Sequence, residues 1–292
     1  MLRSVATFTI AFLVAAVPAT SAPRPFVNGP MPNQTGYADV NGIEMFFRVY
    51  GHGSPILLIH GGLSDSRVWR AQIGALSAHH TIILADSRGQ GRSTRTSDPI
   101  TYDLMAEDYL ELLDALGIER TDLVGWSDGG IIGLDLAMKH PERLSRIFIQ
   151  AANATPDGMK DYDPDAAVVP ELKHYDDVSE EIEALWANEP NFTEEDLRSI
   201  RVPTEIVIGD HDEAISRHHT EYLARTIPGA RLVVLPDVGH SAPLEDPEGY
   251  AEAVLAFVDK RDAPIHDPIQ FGTVRQATLS LPNGDLPFVA SR

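Results

Sequence analysis

The chain has 292 residues, of which 43% are hydrophobic and 23% charged, a balance that excludes a wholly disordered protein. Lys and Arg total 23 against 43 Asp and Glu, for a formal net charge of −20, which argues against nucleic acid or an anionic membrane surface as a partner. The absence of cysteine excludes disulfides, Cys-ligated metals and thiol nucleophiles.

The first 22 residues have the composition of an export signal. Arg3 gives a positive start, residues 5–17 are almost entirely apolar, and residues 20–22 are small enough for a signal peptidase. An apolar helix of about 13 residues is ~20 Å long, whereas a bilayer core is ~30 Å thick. We therefore predict a signal peptide over residues 1–22, a secreted or periplasmic protein, and no stable membrane span after cleavage. An uncleaved anchor is the alternative.

Residues 37–261 alternate between short apolar runs and stretches with apolar residues at helical spacing. The dipeptide Asn41-Gly42 predicts a hairpin turn, because both residue types tolerate positive φ. Strands are predicted at residues 37–40, 43–50, 55–59, 81–85, 122–126, 144–150, 205–209 and 231–235. Helices are predicted at residues 66–78, 102–116, 129–140, 178–186, 218–227 and 247–260. This alternation predicts one α/β domain with a mostly parallel, twisted sheet and helices on both faces.

Three segments interrupt or flank this domain. Residues 153–200 are rich in Asp and Glu and break the alternation, so we predict an inserted lid. Its charge is interpreted either as a solvated face or as a rim that attracts cationic substrates. Residues 23–36 form an N-terminal extension. Residues 262–292 carry four prolines and have no clear period, which predicts an extended tail with one strand at 273–281.

The sequence Gly-Trp-Ser-Asp-Gly at residues 125–129 lies between a predicted strand and a predicted helix. Turning a strand directly into a helix strains the middle residue, and a glycine two positions away on either side leaves room for the close approach. Ser127 would then project above the sheet edge, and it is our candidate nucleophile. An ordinary glycine-rich turn is the alternative.

A serine nucleophile needs a base within hydrogen-bond reach. His240 follows the predicted strand at 231–235, and Gly239 before it permits a sharp approach. The carboxyl ends of parallel strands form the edge where open α/β sheets carry their sites. We therefore predict that His240 is the base. A loop histidine that caps the helix start at 243–245 is the alternative.

The base needs an acid that orients it, and three carboxylates follow the predicted strand at 205–209. Asp212 is preferred because its position three residues past Gly209 gives the chain enough reach to return over the sheet edge. Asp210, Glu213 or a wholly solvated turn are the alternatives. Along the chain the candidates occur in the order nucleophile, acid, base, at Ser127, Asp212 and His240.

An acyl-transfer site also needs two backbone N–H donors for the oxyanion. The N–H of Asp128 at the helix start is one candidate. The sequence His-Gly-Gly-Leu at residues 60–63 follows the predicted strand at 55–59 and supplies the other, with Gly62 as first choice and Leu63 as second. A generic Gly-Gly turn is the alternative.

Two groups of residues favour a simpler interpretation. The histidines at 211, 218 and 219 have no usual metal-ligand spacing, so we predict solvated surface and no metal site. Three Asn-x-Thr triplets begin at Asn33, Asn153 and Asn191, and we interpret them as chance occurrences rather than glycosylation sites.

Five segments together resemble the α/β-hydrolase superfamily. They are His-Gly-Gly at 60–62, Asp-Ser-Arg-Gly-Gln-Gly-Arg-Ser at 86–93, Gly-Trp-Ser-Asp-Gly-Gly at 125–130, Gly-Asp-His-Asp at 209–212 and Gly-His at 239–240. The resemblance covers roughly residues 37–261 and implies the α/β-hydrolase fold. Within it, residues 125–130 and Ala-Ala-Asn-Ala at 151–154 look like the biphenyl-hydrolase-like branch, which contains valacyclovir hydrolase.

In that branch, the acid directly after the serine is implicated in holding the α-ammonium group of amino-acid esters. The resemblance thus implies that Asp128 could bind such substrates. From the residues alone, an Asp in a first helical turn is stabilised by the helix dipole whatever the substrate. Trp126, beside the nucleophile, is interpreted either as a packing residue or as a substrate contact. Residues 86–93 are predicted to form a structural turn.

The sequence therefore predicts a serine hydrolase that cleaves small carboxylic esters or lactones through an acyl-enzyme on Ser127. Neither a metal nor an organic cofactor is expected, and the predicted partner is the small-molecule substrate. The oligomeric state is not predicted. The alternatives are carbon–carbon bond hydrolysis or cofactor-free perhydrolysis by the same residues, or a ligand-binding protein of low turnover on the same fold.

Overall fold

The computed structural model describes residues 30–160 and 178–260 and the backbone of residues 275–276. Its strands are β1 Gln34–Val40, β2 Ile43–Tyr50, β3 Ser54–Ile59, β4 His80–Ala85, β5 Thr121–Trp126, β6 Leu144–Gln150, β7 Thr204–Gly209, β8 Arg231–Leu235 and β9 Arg275–Gln276. Its α-helices are α1 Ile73–Leu76, α2 Tyr102–Ala115, α3 Asp128–Lys139, α4 Ser179–Asn188, α5 Glu194–Ser199, α6 Arg217–Thr226, α7 Ala242–Glu245 and α8 Pro247–Val258. Short 3₁₀ turns cover Ser66–Ala71, Pro141–Arg143 and Pro156–Gly158.

The strands form one sheet in the order β8-β7-β6-β5-β3-β4-β2-β1-β9. From β8 to β4 all neighbours are parallel, whereas β2, β1 and β9 extend the sheet with antiparallel pairs. The inner parallel strands, from β7 to β4 in this order, are buried on both faces, which explains why their sequences are largely continuous apolar runs. The predicted α/β architecture with a mostly parallel sheet is confirmed.

Helices cover both faces of this sheet. In β3, Leu57 and Ile59 pack on the face that carries α2 and α3, while Ile56 and Leu58 pack on the face that carries α1 and α8. This alternation follows from the period of two along a strand. The helices thus cover the two faces of the sheet. The carboxyl ends of the parallel strands, at the edge of the sheet, continue into loops.

A buried carboxylate of α2, that of Asp108, connects this helix to the β1–β2 hairpin and to the loop after β4. The hairpin turns at Asn41 and Gly42, with φ of 39° and 79°, as the dipeptide predicts. Asn41 donates to Asp108 Oδ1 at 3.1 Å, and Arg88 makes a two-pronged contact with the same carboxylate at 2.6 and 2.9 Å. The Arg88–Asp108 ion pair and the Asn41 contact together fix the β1–β2 hairpin to α2.

Several element boundaries differ from the sequence-based prediction. The predicted helix at 66–78 is a 3₁₀ turn followed by α1, since apolar spacing does not separate these forms over six residues. Helix α5 was not predicted, although Thr193 and Asp196 form a reciprocal capping box at its start. Strand β1 begins at Gln34, inside the predicted extension, because Gln34 still pairs with Val49.

The flanking segments are described only in part. Of the predicted tail strand, residues 275–276 pair with β1, and the rest of 273–281 lies outside the described residues. The predicted signal peptide also lies outside them. Between β6 and β7 the structure places α4 and α5, and the lid function of this insertion stays a prediction. Within the described part of the chain, we find no helix with the length and apolar character that crossing a bilayer requires.

Candidate active site

The turn between β5 and α3 holds Ser127 in an unusual backbone conformation, with φ of 54° and ψ of −119°. A Cβ on Gly125 would overlap the backbone of Gly129, and one on Gly129 would overlap the carbonyl of Ile59. Glycine is therefore required on both sides of the serine. The Ser127 N–H donates to Gln150 O at 2.8 Å, which fixes the strained residue to the neighbouring strand.

The structure brings Ser127, His240 and Asp212 together. Ser127 Oγ lies 3.1 Å from His240 Nε2, and His240 Nδ1 lies 3.3 Å from both carboxylate oxygens of Asp212. A carboxylate only accepts, so Nδ1 carries the proton and Nε2 is free to accept the serine proton. The arrangement can deprotonate the hydroxyl as it attacks a carbonyl carbon.

Asp212 is held as an acceptor by its own loop. Its Oδ1 accepts from Ala214 N at 2.9 Å and Ile215 N at 2.8 Å, and the residue is buried. The ammonium of Lys160 contacts its carbonyl oxygen. Asp210, an alternative acid from the same loop, pairs instead with the exposed His211.

Four side chains hold the backbone of the His240 loop, and two of them, Glu245 and Gln150, were not singled out from the sequence. Glu245 accepts from Gly239 N at 2.7 Å and Glu213 accepts from His240 N at 3.0 Å. On the other side of the peptide, His240 O accepts from Trp126 Nε1 at 2.9 Å and Gln150 Nε2 at 3.2 Å. Both the backbone N–H groups and the carbonyl of this loop are therefore held by side chains. The loop thus has little freedom to move the imidazole away from Ser127.

The loop after β3 runs directly beside the nucleophile. A Cβ on Gly61 would lie 3.1 Å from Ser127 Cβ, and Leu63 has a positive φ of 50°. His60 fixes the loop from behind, since its Nδ1 contacts Gly61 O at 2.7 Å and its Nε2 accepts from Ser87 N at 2.9 Å. Asp128 is the first residue of α3, so its N–H has no acceptor within the helix. The N–H groups of Asp128, Gly62 and Leu63 are the candidate donors to an oxyanion, and that role stays a prediction.

Residues 86–93 form the structural turn that the sequence predicts. The carboxylate of Asp86 accepts from Ser66 N and Arg92 N, both at 2.9 Å. Ser64 N donates to Gln90 Oε1 at 3.3 Å. The segment therefore braces the loop after β3, which runs beside Ser127.

The side chain of Asp128 points into the protein beside Gly62. Its Oδ1 accepts from Tyr102 Oη at 3.1 Å and Trp186 Nε1 at 2.9 Å, and its Oδ2 lies 3.1 Å from the same indole nitrogen. Burial raises the pKa of the Asp128 carboxyl, and these hydrogen bonds oppose the rise. Neither Tyr102 nor Trp186 was singled out from the sequence.

Trp126 is buried under the site, with its indole ring 5.8 Å from the imidazole of His240. Its described contacts are with the protein itself, and a contact with substrate stays a prediction.

The expectation that His219 lies on the solvated surface is wrong. Its Nε2 accepts from Ala154 N at 2.9 Å, and burial lowers its pKa, which favours the neutral, accepting form. Within residues 30–160 and 178–260, no group of His, Asp and Glu is arranged to hold a metal ion. Among the Asn-x-Thr triplets, Asn153 is buried and donates to Thr155 O, which disfavours a glycan there.

A family model described as the alpha/beta hydrolase fold matches residues 54–178. The chain is 30% identical over 262 residues to RutD of Azorhizobium caulinodans, which is named as a carbamate hydrolase. The match covers 77% of this chain and 99% of RutD. The chain belongs to the α/β-hydrolase superfamily. The serine hydrolase BPHL of Mus musculus is 28% identical, over 75% of this chain and 84% of BPHL, which agrees with the predicted biphenyl-hydrolase-like resemblance.

Among solved structures of the superfamily, the enol-lactonase of Burkholderia xenovorans LB400 superimposes with a TM-score of 0.68. It is 26% identical, and the match covers 77% of this chain and all of the lactonase. The fold is thus shared over the whole length of that enzyme. Hydrolysis is the class of reaction that this family membership implies.

Proposed function

We propose that this protein is a serine hydrolase that cleaves small carboxylic esters or lactones through an acyl-enzyme on Ser127. The observation that carries the proposal is the continuous hydrogen-bonded chain from Ser127 Oγ through His240 to Asp212, placed at the start of α3. A strained serine with a base and an orienting acid is the arrangement that activates an alcohol as a nucleophile.

In the first half of the reaction, His240 Nε2 takes the proton of Ser127 as Oγ attacks the acyl carbon. Asp212 keeps Nδ1 protonated and stabilises the positive charge that develops on the ring. The N–H groups of Gly62 and Asp128, with Leu63 as the second choice in the loop, hold the oxyanion. His240 then gives the proton to the departing alkoxide, which leaves as an alcohol.

In the second half, a water molecule attacks the acyl-enzyme and gives its proton to His240. Collapse of the new tetrahedral intermediate releases the carboxylic acid, and the proton returns to Ser127. The sum converts one ester and one water to an acid and an alcohol, or one lactone and one water to a single hydroxy acid whose alcohol stayed joined to the acyl chain. Only side chains and backbone groups of this chain enter the scheme.

The names of the relatives support a carbonyl substrate, since they describe a carbamate hydrolase, a serine hydrolase and an enol-lactonase. A preference for amino-acid esters is a finer prediction. An ammonium group would have to reach the carboxylate of Asp128, which is 4% exposed and already bonded to Tyr102 and Trp186. We therefore base the proposal on esters and lactones in general.

The test is hydrolysis of p-nitrophenyl acetate and butyrate, a panel of lactones, and labelling by a fluorophosphonate. Ser127→Ala should lose labelling and at least ~10³-fold in kcat/KM. Ser54→Ala is a matched control, because Ser54 Oγ also lies 2.8 Å from a histidine, His80, which contacts Asp259 at 3.0 Å. Ser54 begins a strand and precedes no helix, so its loss should leave turnover unchanged.

Unchanged turnover in Ser127→Ala would remove that serine from the mechanism. Labelling of Ser127 without turnover of any ester or lactone would favour the ligand-binding alternative.

We also propose that the protein is exported and cleaved near residue 22. Support comes from the positive start and apolar run of residues 1–22. Mass spectrometry of protein recovered from its native host should find an N-terminus near Pro23. Exported protein that still begins at Met1 would contradict cleavage.

A further inference from the structure

The carboxylate of Asp128 joins three helices at one point. It belongs to the first turn of α3, it accepts from Tyr102 at the start of α2, and it accepts from Trp186 near the end of α4. Both donors are neutral, and the carboxylate is 4% exposed. Its partners in the structure are thus an O–H and an N–H, and the contact joins α4 to the nucleophile turn.

The indole of Trp186 lies against the loop that runs beside Ser127. A Cβ added to Gly62 would lie 2.7 Å from Trp186 Cζ2 and would overlap Asp128 Oδ2. One added to Gly61 would lie 3.1 Å from Ser127 Cβ. Two consecutive glycines therefore touch the indole on one side and the nucleophile on the other. Only these two glycines separate the ring of Trp186 from Ser127 along this loop.

Three other contacts hold α4 in place. Glu181 accepts from Ile100 N at 3.0 Å and pairs with Arg95 at 2.7 Å. Past the end of the helix, Glu189 accepts from Tyr102 N at 3.2 Å. These contacts attach α4 to the segment before α2, while Trp186 reaches inward. The position of the indole is thus set by the helix and by Asp128 together.

We propose that Trp186 is a specificity-determining residue that limits the acyl chain accepted beside Ser127, and that Asp128 is the positioning residue that holds its indole there. The inference rests on the proposed ester and lactone hydrolysis and adds a substrate class, namely short acyl groups. A methylene that a wall excludes is worth a factor of roughly ten or more in kcat/KM. The indole occupies the volume of several methylenes.

The first experiment compares kcat/KM for p-nitrophenyl acetate, butyrate and octanoate. Trp186→Ala should raise the ratio of octanoate to acetate at least roughly tenfold, because the wall is removed. Trp186→Phe keeps a ring but loses the N–H that Asp128 accepts, so its ratio should lie between those of wild type and Trp186→Ala. Glu183→Ala, at an exposed position of the same helix, is the control and should leave the ratio unchanged.

The second experiment follows the indole itself. The chain has three tryptophans, and Trp69 and Trp126 are 0% and 5% exposed, so Trp186 is the one that solvent reaches. Asp128→Asn keeps one acceptor oxygen but places an NH₂ donor where Oδ2 stands, 3.1 Å from the indole nitrogen of Trp186. The emission of Trp186 should therefore shift to the red and be quenched more strongly by acrylamide. Asp135→Asn, two turns further along α3, is the matched control and should not change the emission.

An octanoate-to-acetate ratio that stays at the wild-type value in Trp186→Ala would overturn the specificity role. Unchanged emission in Asp128→Asn would overturn the positioning role. Asp128→Asn could instead lose a preference for amino-acid esters over their N-acetyl forms while its octanoate-to-acetate ratio stays unchanged. That result would make Asp128 a receptor for the substrate ammonium group and overturn the positioning role. If wild type neither hydrolyses esters nor reacts at Ser127, the proposed function fails, while the emission experiment still tests the Asp128–Trp186 contact.

Discussion

The indole N–H of Trp126 donates a hydrogen bond of 2.9 Å to the backbone carbonyl of His240. The residue before the nucleophile thus holds the residue proposed as its base, although 114 positions separate them. This contact fixes the distance between the serine turn and the histidine loop from below the site.

Trp126→Phe should lower kcat for p-nitrophenyl butyrate roughly fivefold, because one hydrogen bond worth about 1 kcal/mol is lost from the loop of the base. The KM should change little, since the acyl space is untouched. Trp69→Phe is the matched control. Trp69 is equally buried, and its indole nitrogen has no hydrogen-bond partner in the part of the chain that the structure describes. Equal kcat values for the two variants would contradict the role of the Trp126 contact.

Glu213 is expected to act through the backbone of His240. Glu213→Ala should lower kcat roughly three- to tenfold with little change in KM, since the N–H of His240 loses its acceptor at 3.0 Å. Glu213→Gln should recover most of that loss, because an amide oxygen still accepts. The control is Asp210→Ala, whose carboxylate pairs with His211 on the exposed turn. A Gln variant as slow as the Ala variant would show that the hydrogen bond is not what matters.

The stability of the fold should depend on Asp122. Burial raises the pKa of this carboxyl to about 7, while Arg146 and Arg120 oppose the rise. The folded chain therefore binds this proton more tightly than the unfolded chain, whose carboxyl titrates near 4. The contribution of protonated Asp122 to the free energy of unfolding is fully present below about pH 4. It is lost as the pH rises to about 7, and it stays low above that pH.

Asp122→Asn removes the cost of burying a charge, so its Tm should exceed that of wild type at pH 8 and differ less at pH 4.5. Thermal melts across this range measure the difference, with Asp39→Asn as an exposed control. Parallel curves for wild type and Asp122→Asn would contradict the assignment.

Gly62→Ala should lower kcat/KM by ~10²–10³, the usual loss when an oxyanion donor is displaced. The added Cβ would overlap the buried Asp128 Oδ2 and press on Trp186, so the loop has to move. Gly74→Ala is the control. Gly74 lies in α1, and a Cβ added there would have nothing within 4 Å. That control should keep full activity and gain slightly in Tm. Full activity in Gly62→Ala would contradict a role for this loop at the oxyanion.

The sheet and the convergence of Ser127, Asp212 and His240 were accessible from sequence because their signals are local. Each residue follows an apolar run within a few positions, and the order of the parallel strands brings these ends to one edge. The choice of Asp212 over Asp210 agrees with the observed contacts, since the three-residue reach past Gly209 is a property of the chain itself. Their catalytic roles stay predictions.

Contacts between distant segments could not be predicted in this way. Trp186 and Tyr102 meet Asp128 from 58 and 26 positions away, and no local pattern marks them. The error at His219 has the same origin, because its burial depends on how α6 packs against the loop at Ala154. Glu245 follows His240 by five positions, a spacing that carries no periodic signal.

The position of β7 and β8 at one end of the sheet has a kinetic consequence. Ser127, the proposed nucleophile, follows β5, whereas its proposed acid and base follow these outer strands, 113 residues later in the case of His240. Contacts between residues so far apart along the chain form slowly during folding. On the proposed mechanism, a newly made chain that lacks those two strands carries an unactivated alcohol, so its reactivity is withheld until the fold is complete.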